Sequence, residues 1–323
     1  MEYNEFLDYL LSQLEAEFDG YASVSCHKIL KNNNVYFDAF TVCTNKSNIS
    51  STVYINDYFL EYKNGKSISN ILDEITGTFK KSCLQDINTG FINDFLQVQS
   101  QIAVKLINFE ANAELLSDIP YKSFLDLAAV FYIIVKQVPF NNASILIQNY
   151  HLELWNINTD ELYSIAFNNT LSLLGYEIKN MNTIIRELLV EDLKQHLYSE
   201  YQQNTAFCDS DGLNKFADDI ISNFHNCSSD RPMFVLTNKE RFLGASCILY
   251  LNILEKFALI HQSDIFILPS SIHEVILIPV SESPSREELR SMVREINQTE
   301  VADTERLSDN VYLYSLSDKK IYL

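Results

Sequence analysis

The feature that most constrains the fold of this chain is an internal similarity in its second half. Residues 131–155 align without a gap with residues 233–257, with five identities in 25 positions and many matching apolar positions. Each copy has the pattern of a strand, a turn, a second strand and a helix. Two similar hairpin-helix units can arise by chance, but the ungapped match favours a duplicated strand-strand-helix unit.

The first part of the chain mixes helical and β periodicity. Apolar side chains recur at helical spacing near the start, and β-rich segments with turn-forming asparagines between them follow. The predicted helices cover residues 3–18, about 67–82 and 91–112, and the predicted strands cover 23–30, 35–43 and 51–56. We therefore expect an α+β protein with mixed or antiparallel sheets.

Two modules are predicted, an N-terminal α+β module over residues 1–118 and a C-terminal α+β module over residues 119–323. In the C-terminal module, the second copy of the repeat is followed by further apolar and turn-rich segments. These predict strands at 264–269 and 272–280, a helix that Ser285 and Glu288 cap, and a closing hairpin over 311–323.

The charge of the chain is strongly acidic, with 43 Asp and Glu against 24 Lys and Arg and a formal net charge of −19. Direct binding of nucleic acid is not expected, because this charge repels phosphates. Residues 187–230 carry nine acidic side chains and two lysines, which predicts either a solvated helical connector or a charged interaction surface. The candidate binding residues in it are Glu187, Glu191, Asp192, Asp209, Asp211, Asp218 and Asp219.

Cofactor and metal sites are not predicted. The chain has only 7 glycines, and their spacing builds no phosphate-binding loop. None of the 6 cysteines forms a C-x-x-C pair, and the histidines lack ligand spacing. The start lacks a signal peptide, and the longest apolar run, 127–135, is too short to span a bilayer. We expect a cytoplasmic protein with reduced thiols and no membrane contact.

The best catalytic candidate is the segment 270–274, which holds Ser271, His273 and Glu274 as a possible nucleophile, base and carboxylate. In an extended chain, alternate side chains share a face, so Glu274 is expected to point away from Ser271 and His273. A catalytic triad needs three groups in one hydrogen-bonded row. The segment is therefore read mainly as a polar hairpin tip, with a hydrolase as the alternative.

Several phrases of the sequence resemble the family DUF5688, and the resemblance extends over nearly the whole chain. They lie at 27–33 (HKILKNN), 125–132 (LDLAAVFY), 236–239 (LTNK), 267–278 (ILPSSIHEVILI), 292–297 (MVREIN) and 307–312 (LSDNVY). The most specific phrase is LPSSIHEV. The resemblance implies a bacterial or phage cytosolic protein, of the kind found in gut Clostridia and on mobile elements. It brings no catalytic residue with it.

These observations predict a non-catalytic cytoplasmic protein that binds another protein, as an interaction or inhibitor protein of a mobile element or phage. The expected partner is a basic protein, such as a nucleic-acid-binding host or defence protein, which the acidic surface attracts. One alternative is an anti-defence protein whose carboxylates mimic a phosphate backbone. The other is a hydrolase that uses Ser271 and His273 with a distant carboxylate.

Overall fold

The computed structural model describes residues 1–44, 51–83, 90–135, 144–200, 232–269 and 271–323. It confirms the predicted α+β class, because helices and antiparallel sheets both occur along the chain. The helices are α1 (Tyr3–Glu17), α2 (Asn56–Lys63), α3 (Ile68–Cys83), α4 (Phe95–Val98), α5 (Leu115–Asp118), α6 (Asn149–Trp155), α7 (Thr159–Leu174), α8 (Met181–Glu200), α9 (Leu251–His261) and α10 (Arg286–Thr299).

Within the described residues, the strands form three sheets. They are β1 (Ala22–Leu30), β2 (Tyr36–Thr44), β3 (Ser51–Tyr54), β4 (Ile102–Asn108), β5 (Tyr121–Phe124), β6 (Leu127–Ile134), β7 (Ser144–Leu146), β8 (Glu177–Asn180), β9 (Phe234–Thr237), β10 (Ile265–Leu268), β11 (Val275–Pro279), β12 (Tyr312–Ser315) and β13 (Lys320–Tyr322). The sheet orders are β1-β2-β3, β4-β6-β5 with β7 paired to β6, and β13-β12-β10-β11-β9-β8.

The chain divides into two compact units that alternate along the sequence. Unit one contains Met1–Ala103, Phe109–Tyr121 and Phe131–Ala166. Unit two contains Val104–Asn108, Lys122–Val130 and Phe167–Leu323. The module division at residues 118 and 119 stays a prediction.

Unit one contains an amphipathic helix and an antiparallel sheet. Phe6, Leu10 and Leu14 recur along one face of α1 and are fully buried, as their helical spacing predicts. They share a core with Phe40 of β2 and Ile75 of α3. The predicted helices over 3–18 and about 67–82 and the three predicted strands are confirmed, with ends shifted by one or two residues.

Unit two contains the six-stranded sheet, in which every pair of neighbouring strands is antiparallel. Helix α10 buries Leu289 and Val293 against apolar side chains of β10 and β11. Its predicted capping box is confirmed, since the Ser285 side chain accepts from the Glu288 backbone and the Glu288 side chain binds back. The predicted strands after the repeat and the closing β12–β13 hairpin are also confirmed.

The predicted helix over 91–112 is wrong. The segment contains 3-10 turns at Gly90–Asn93 and Gln99–Gln101, the short helix α4 between them, and then strand β4. All residues of β4 except Lys105 and Asn108 are buried. A short apolar run that is buried on both faces shows neither helical nor β periodicity in its hydrophobic residues. Its secondary structure is therefore decided by the tertiary context.

The second copy of the repeat lacks the second strand that the alignment predicts. Its first strand and its helix are present as β9 and α9, but Gly244–Leu249 forms a 3-10 helix between them. The reason lies in the sheet, where β9 is hydrogen-bonded to β11 on one side and to β8 on the other. β9 has only four residues, of which 234–236 pair with β11 and 234–237 pair with β8, so the following segment has no edge on which to form a hairpin. The eight-residue β6, by contrast, pairs with β7 through residues 132–134 at its end.

Candidate functional site

Three polar segments that carry the family resemblance meet in unit two. They are the end of β9 with the loop after it, the connection between β10 and β11, and the segment 305–312 before β12. The Ile272 amide donates to the Glu305 carbonyl at 2.9 Å, and the Ser308 amide donates to the Pro269 carbonyl at 2.9 Å. These bonds hold the candidate catalytic segment against a second loop.

The loop after β9 is closed by Asn238, which is buried. Its Nδ2 donates to the Phe242 carbonyl at 2.7 Å, and its Oδ1 accepts from the Phe242 amide at 3.3 Å. An amide side chain that serves as both donor and acceptor to one residue fixes a tight turn. The turn ends at Leu243, which has a left-handed φ of 56°.

The His273 ring is held from two sides. Its Nδ1 accepts a hydrogen bond from the Leu243 amide at 3.2 Å, so the ring proton lies on Nε2. Nε2 faces Glu305, with 3.5 Å to Oε1. The backbone is also fixed, because the Thr237 hydroxyl donates to the His273 carbonyl at 2.8 Å. Phe242 packs against the ring, with 5.4 Å between the ring centroids.

Ser271 and Glu274 are brought together, whereas an extended chain would separate them. The Ser271 hydroxyl oxygen accepts from the His273 amide at 3.0 Å, so the segment turns at this point. Burial raises the pKa of Glu274, and a hydrogen bond from the Ser271 side chain opposes the rise. The predicted orientation of Glu274 is therefore wrong, because a local turn replaces the strand.

The geometry of these groups is that of a structural network. A nucleophile needs a base within hydrogen-bond reach. The hydrogen bonds of Ser271 go to Glu274 and to the His273 backbone, while Nδ1 of the His273 ring is engaged by Leu243. Ser270 lies outside the described residues.

A second polar cluster, centred on Asp126, was not identified from sequence. Asp126 lies in the turn between β5 and β6, and its carboxylate accepts from the side chains of Ser308 at 2.6 Å, Asn310 at 2.9 Å and Tyr312. Tyr312 is fully buried, and burial and the Asp126 charge raise its pKa. The signal was present in the phrases LDLAAVFY and LSDNVY, but no sequence rule pairs residues that are 182 or more positions apart.

The acidic candidates fall into three groups. Glu187 faces two cations, Lys179 Nζ at 2.8 Å and Arg241 Nη2 at 2.9 Å, and their hydrogen bonds lower its pKa. Glu191 and Asp192 are exposed on α8. Asp209, Asp211, Asp218 and Asp219 lie outside the described residues.

Within the described parts of the chain, no group of three His, Cys, Asp or Glu side chains is placed to hold a metal ion. None of the helices in these parts combines the length and the apolar character that a bilayer crossing needs. Burial raises the pKa of the Cys247 thiol, which lies in the 3-10 helix after β9, to about 12.

The fold and the polar network define an α+β protein in which loops of unit two are joined by side-chain hydrogen bonds. The chain belongs to a family of unknown function, DUF5688, whose model matches residues 3–316. No curated protein and no solved structure matches it.

Proposed function

We propose that this protein acts by binding a basic protein partner through the exposed face of α8. The observation that carries the proposal is a mixed apolar and acidic surface on that helix. Ile185 and Leu188 are 40% and 55% exposed. Asp192 follows Leu188 by four residues and Glu191 follows it by three, so the four side chains lie on neighbouring positions of the helix surface.

The chemistry of this surface is suited to a partner that combines cations with apolar side chains. Exposed leucine and isoleucine supply area that is removed from water on binding. The carboxylates of Glu191 and Asp192 supply attraction for lysine and arginine, which raises the association rate at low salt. Glu187, four residues before Glu191 on α8, is neutralised by Lys179 and Arg241 and holds the helix against β8 and the loop after β9.

The hydrolase alternative has less support. Its candidate residues bond to one another and to the backbone in ways that stabilise the 271–274 turn. A Ser271 hydroxyl that is only 6% exposed and a ring nitrogen that accepts from Leu243 are poorly placed to attack a substrate.

The experiment is a pull-down with the full chain from a lysate of its source organism, at low and high ionic strength. Each retained protein is then purified and its affinity is measured against the chain and its variants. Reversing charge in Glu191→Lys with Asp192→Lys is expected to abolish retention of the specific partner. Leu188→Ala is expected to weaken binding at all salt concentrations.

The matched control is Glu295→Lys with Glu300→Lys, which makes the same change of charge on exposed positions of α10 and its C-terminus. This control is expected to retain the partner. Equal losses in the two double variants would show that only net charge matters and would contradict the proposal. If the retained partner is a defence nuclease, the same surface acts as a mimic of nucleic acid.

A further inference from the structure

Unit two contains a cavity beside α10 whose chemistry is opposite to that of the chain as a whole. Its volume is about 420 Å³, and it is lined by Arg286, Glu287, Arg290, Asn310, Val311 and Leu323. Arg286 and Arg290 are four residues apart on α10, so both guanidinium groups face the same side of the helix. A chain with a net charge of −19 therefore directs two cations into one cavity.

Both arginines are held in place by the segment before β12. The Arg286 Nε and Nη2 atoms donate to the Val311 carbonyl, at 3.1 and 2.5 Å. The Arg290 Nη2 atom donates to Asn310 Oδ1 at 2.9 Å. These neutral acceptors position the guanidinium groups without cancelling their charge.

The hydrogen bonding of Arg290 is incomplete. Its Nε atom is sheltered from water and has no hydrogen-bond acceptor. Leaving a buried donor of a charged group unpaired is unfavourable, so an acceptor that reaches this edge of Arg290 would be bound strongly.

Neither arginine of the cavity has a carboxylate partner among the described residues. Arg241 and Arg306 have carboxylate partners, whereas Arg286 and Arg290 form no ion pair within the described parts of the chain. Glu287 lines the cavity without pairing to either of them. The two positive charges are thus available to a ligand.

We propose that this cavity is a binding site for a small molecule that carries an oxyanion, either a phosphate or a carboxylate. Guanidinium groups match the oxygen spacing of both. The volume falls in the range of small-molecule sites, and the side chains of Val311 and Leu323 provide an apolar wall for the body of the ligand. The carboxylate of Glu287, which also lines the cavity, disfavours ligands with several negative charges.

The test is isothermal titration calorimetry of the full chain with phenyl phosphate, benzoate and inorganic phosphate. The first two share an apolar ring and differ only in the oxyanion, so the tighter one identifies the preferred group. Saturable 1:1 binding of either is expected, and inorganic phosphate is expected to bind more weakly than phenyl phosphate because it lacks the ring. The absence of saturable binding for all three would overturn the proposal.

Variants locate the binding. Arg290→Gln is expected to weaken the tighter ligand about tenfold or more, because a charge-assisted hydrogen bond is lost. The matched control Arg294→Gln removes the same charge from an exposed position of α10 outside the cavity and is expected to bind normally. Arg290→Lys keeps the positive charge but lacks the planar guanidinium group, so its affinity is expected to lie between those of the wild type and Arg290→Gln. This variant also tests the site if Arg290→Gln does not fold. Equal binding by Arg290→Lys and Arg294→Gln would overturn the assignment.

Discussion

Gly244 lies in close contact with two other segments of unit two, and replacing it with alanine is expected to destabilise the protein. A Cβ atom at this position would lie 2.2 Å from Thr237 Oγ1, 2.6 Å from the Asn238 amide nitrogen and 2.7 Å from the His273 carbonyl oxygen. All three distances are well below van der Waals contact. Two of the three atoms belong to the backbone, so no side-chain rotation relieves the overlap.

The expected cost follows from these contacts. Overpacking typically costs about 1–3 kcal/mol, and a clash with backbone on two sides belongs at the upper end. The Thr237 hydroxyl must also move, which breaks its 2.8 Å hydrogen bond to the His273 carbonyl and removes about 1 kcal/mol more. We therefore expect Gly244→Ala to lower the free energy of unfolding by about 3–4 kcal/mol.

The assay is urea unfolding followed by far-ultraviolet circular dichroism, with Gly77→Ala as the control. Gly77 lies inside α3, and a Cβ there meets nothing within 4 Å. The same chemical change is expected to stabilise the protein by about 0.5–1 kcal/mol, because alanine favours the helix. A loss below about 1 kcal/mol for Gly244→Ala would refute the close packing of this loop on β9.

Three further predictions concern ionisable side chains of unit two. Asp126→Ala removes the acceptor of three side-chain hydrogen bonds and leaves the buried Tyr312 hydroxyl without this acceptor. Urea unfolding should therefore show that the free energy of unfolding falls by about 3 kcal/mol. A fall of less than about 1 kcal/mol would contradict this role of Asp126. Burial raises the pKa of Glu274 above its ordinary 4.5, so the unfolded chain loses this proton first and stability falls as the pH rises from 4.5 to the folded pKa. Glu274→Gln is therefore expected to be more stable than the wild type at pH 7 and equally stable at pH 4. A variant that is less stable than the wild type at pH 7 would contradict this. The Cys247 pKa rises from 9.0 to about 12, so the unfolded chain loses this proton first and stability falls by about 1.4 kcal/mol for each pH unit between those values. Cys247→Ala should show a shallower decline in unfolding free energy from pH 8 to pH 10, and an unchanged slope would be evidence against the burial of this thiol.

Elements with a clear period were predictable from sequence. The apolar face of α1 is as predicted, and so is the capping box of α10. Both depend only on residues a few positions apart, namely Phe6, Leu10 and Leu14 in α1 and Ser285 and Glu288 at the start of α10. Strand β4 was mistaken for part of a helix because its apolar run is short and continuous, and only its burial on both faces makes it a strand.

The candidate site was predictable only in part. The segment around His273 was recognised by its polar composition between two apolar strands, but its hydrogen bonds come from Leu243, Thr237 and Glu305, which are distant in sequence. The Asp126 cluster and the arginine-lined cavity gave no local signal, since each depends on which loop the fold places beside it.

The amino-acid sequence by itself determined the α+β class, the main periodic elements and the family, because these depend on local spacing and on short phrases. Tertiary structure decided which elements the ambiguous apolar runs form and which polar groups meet. The difference between β7 and the 3-10 helix at Gly244–Leu249 illustrates this, since the two aligned segments have similar patterns. The edges of β9 are already paired in its sheet, and hydrogen-bond partners that lie far apart along the chain leave no trace in local periodicity.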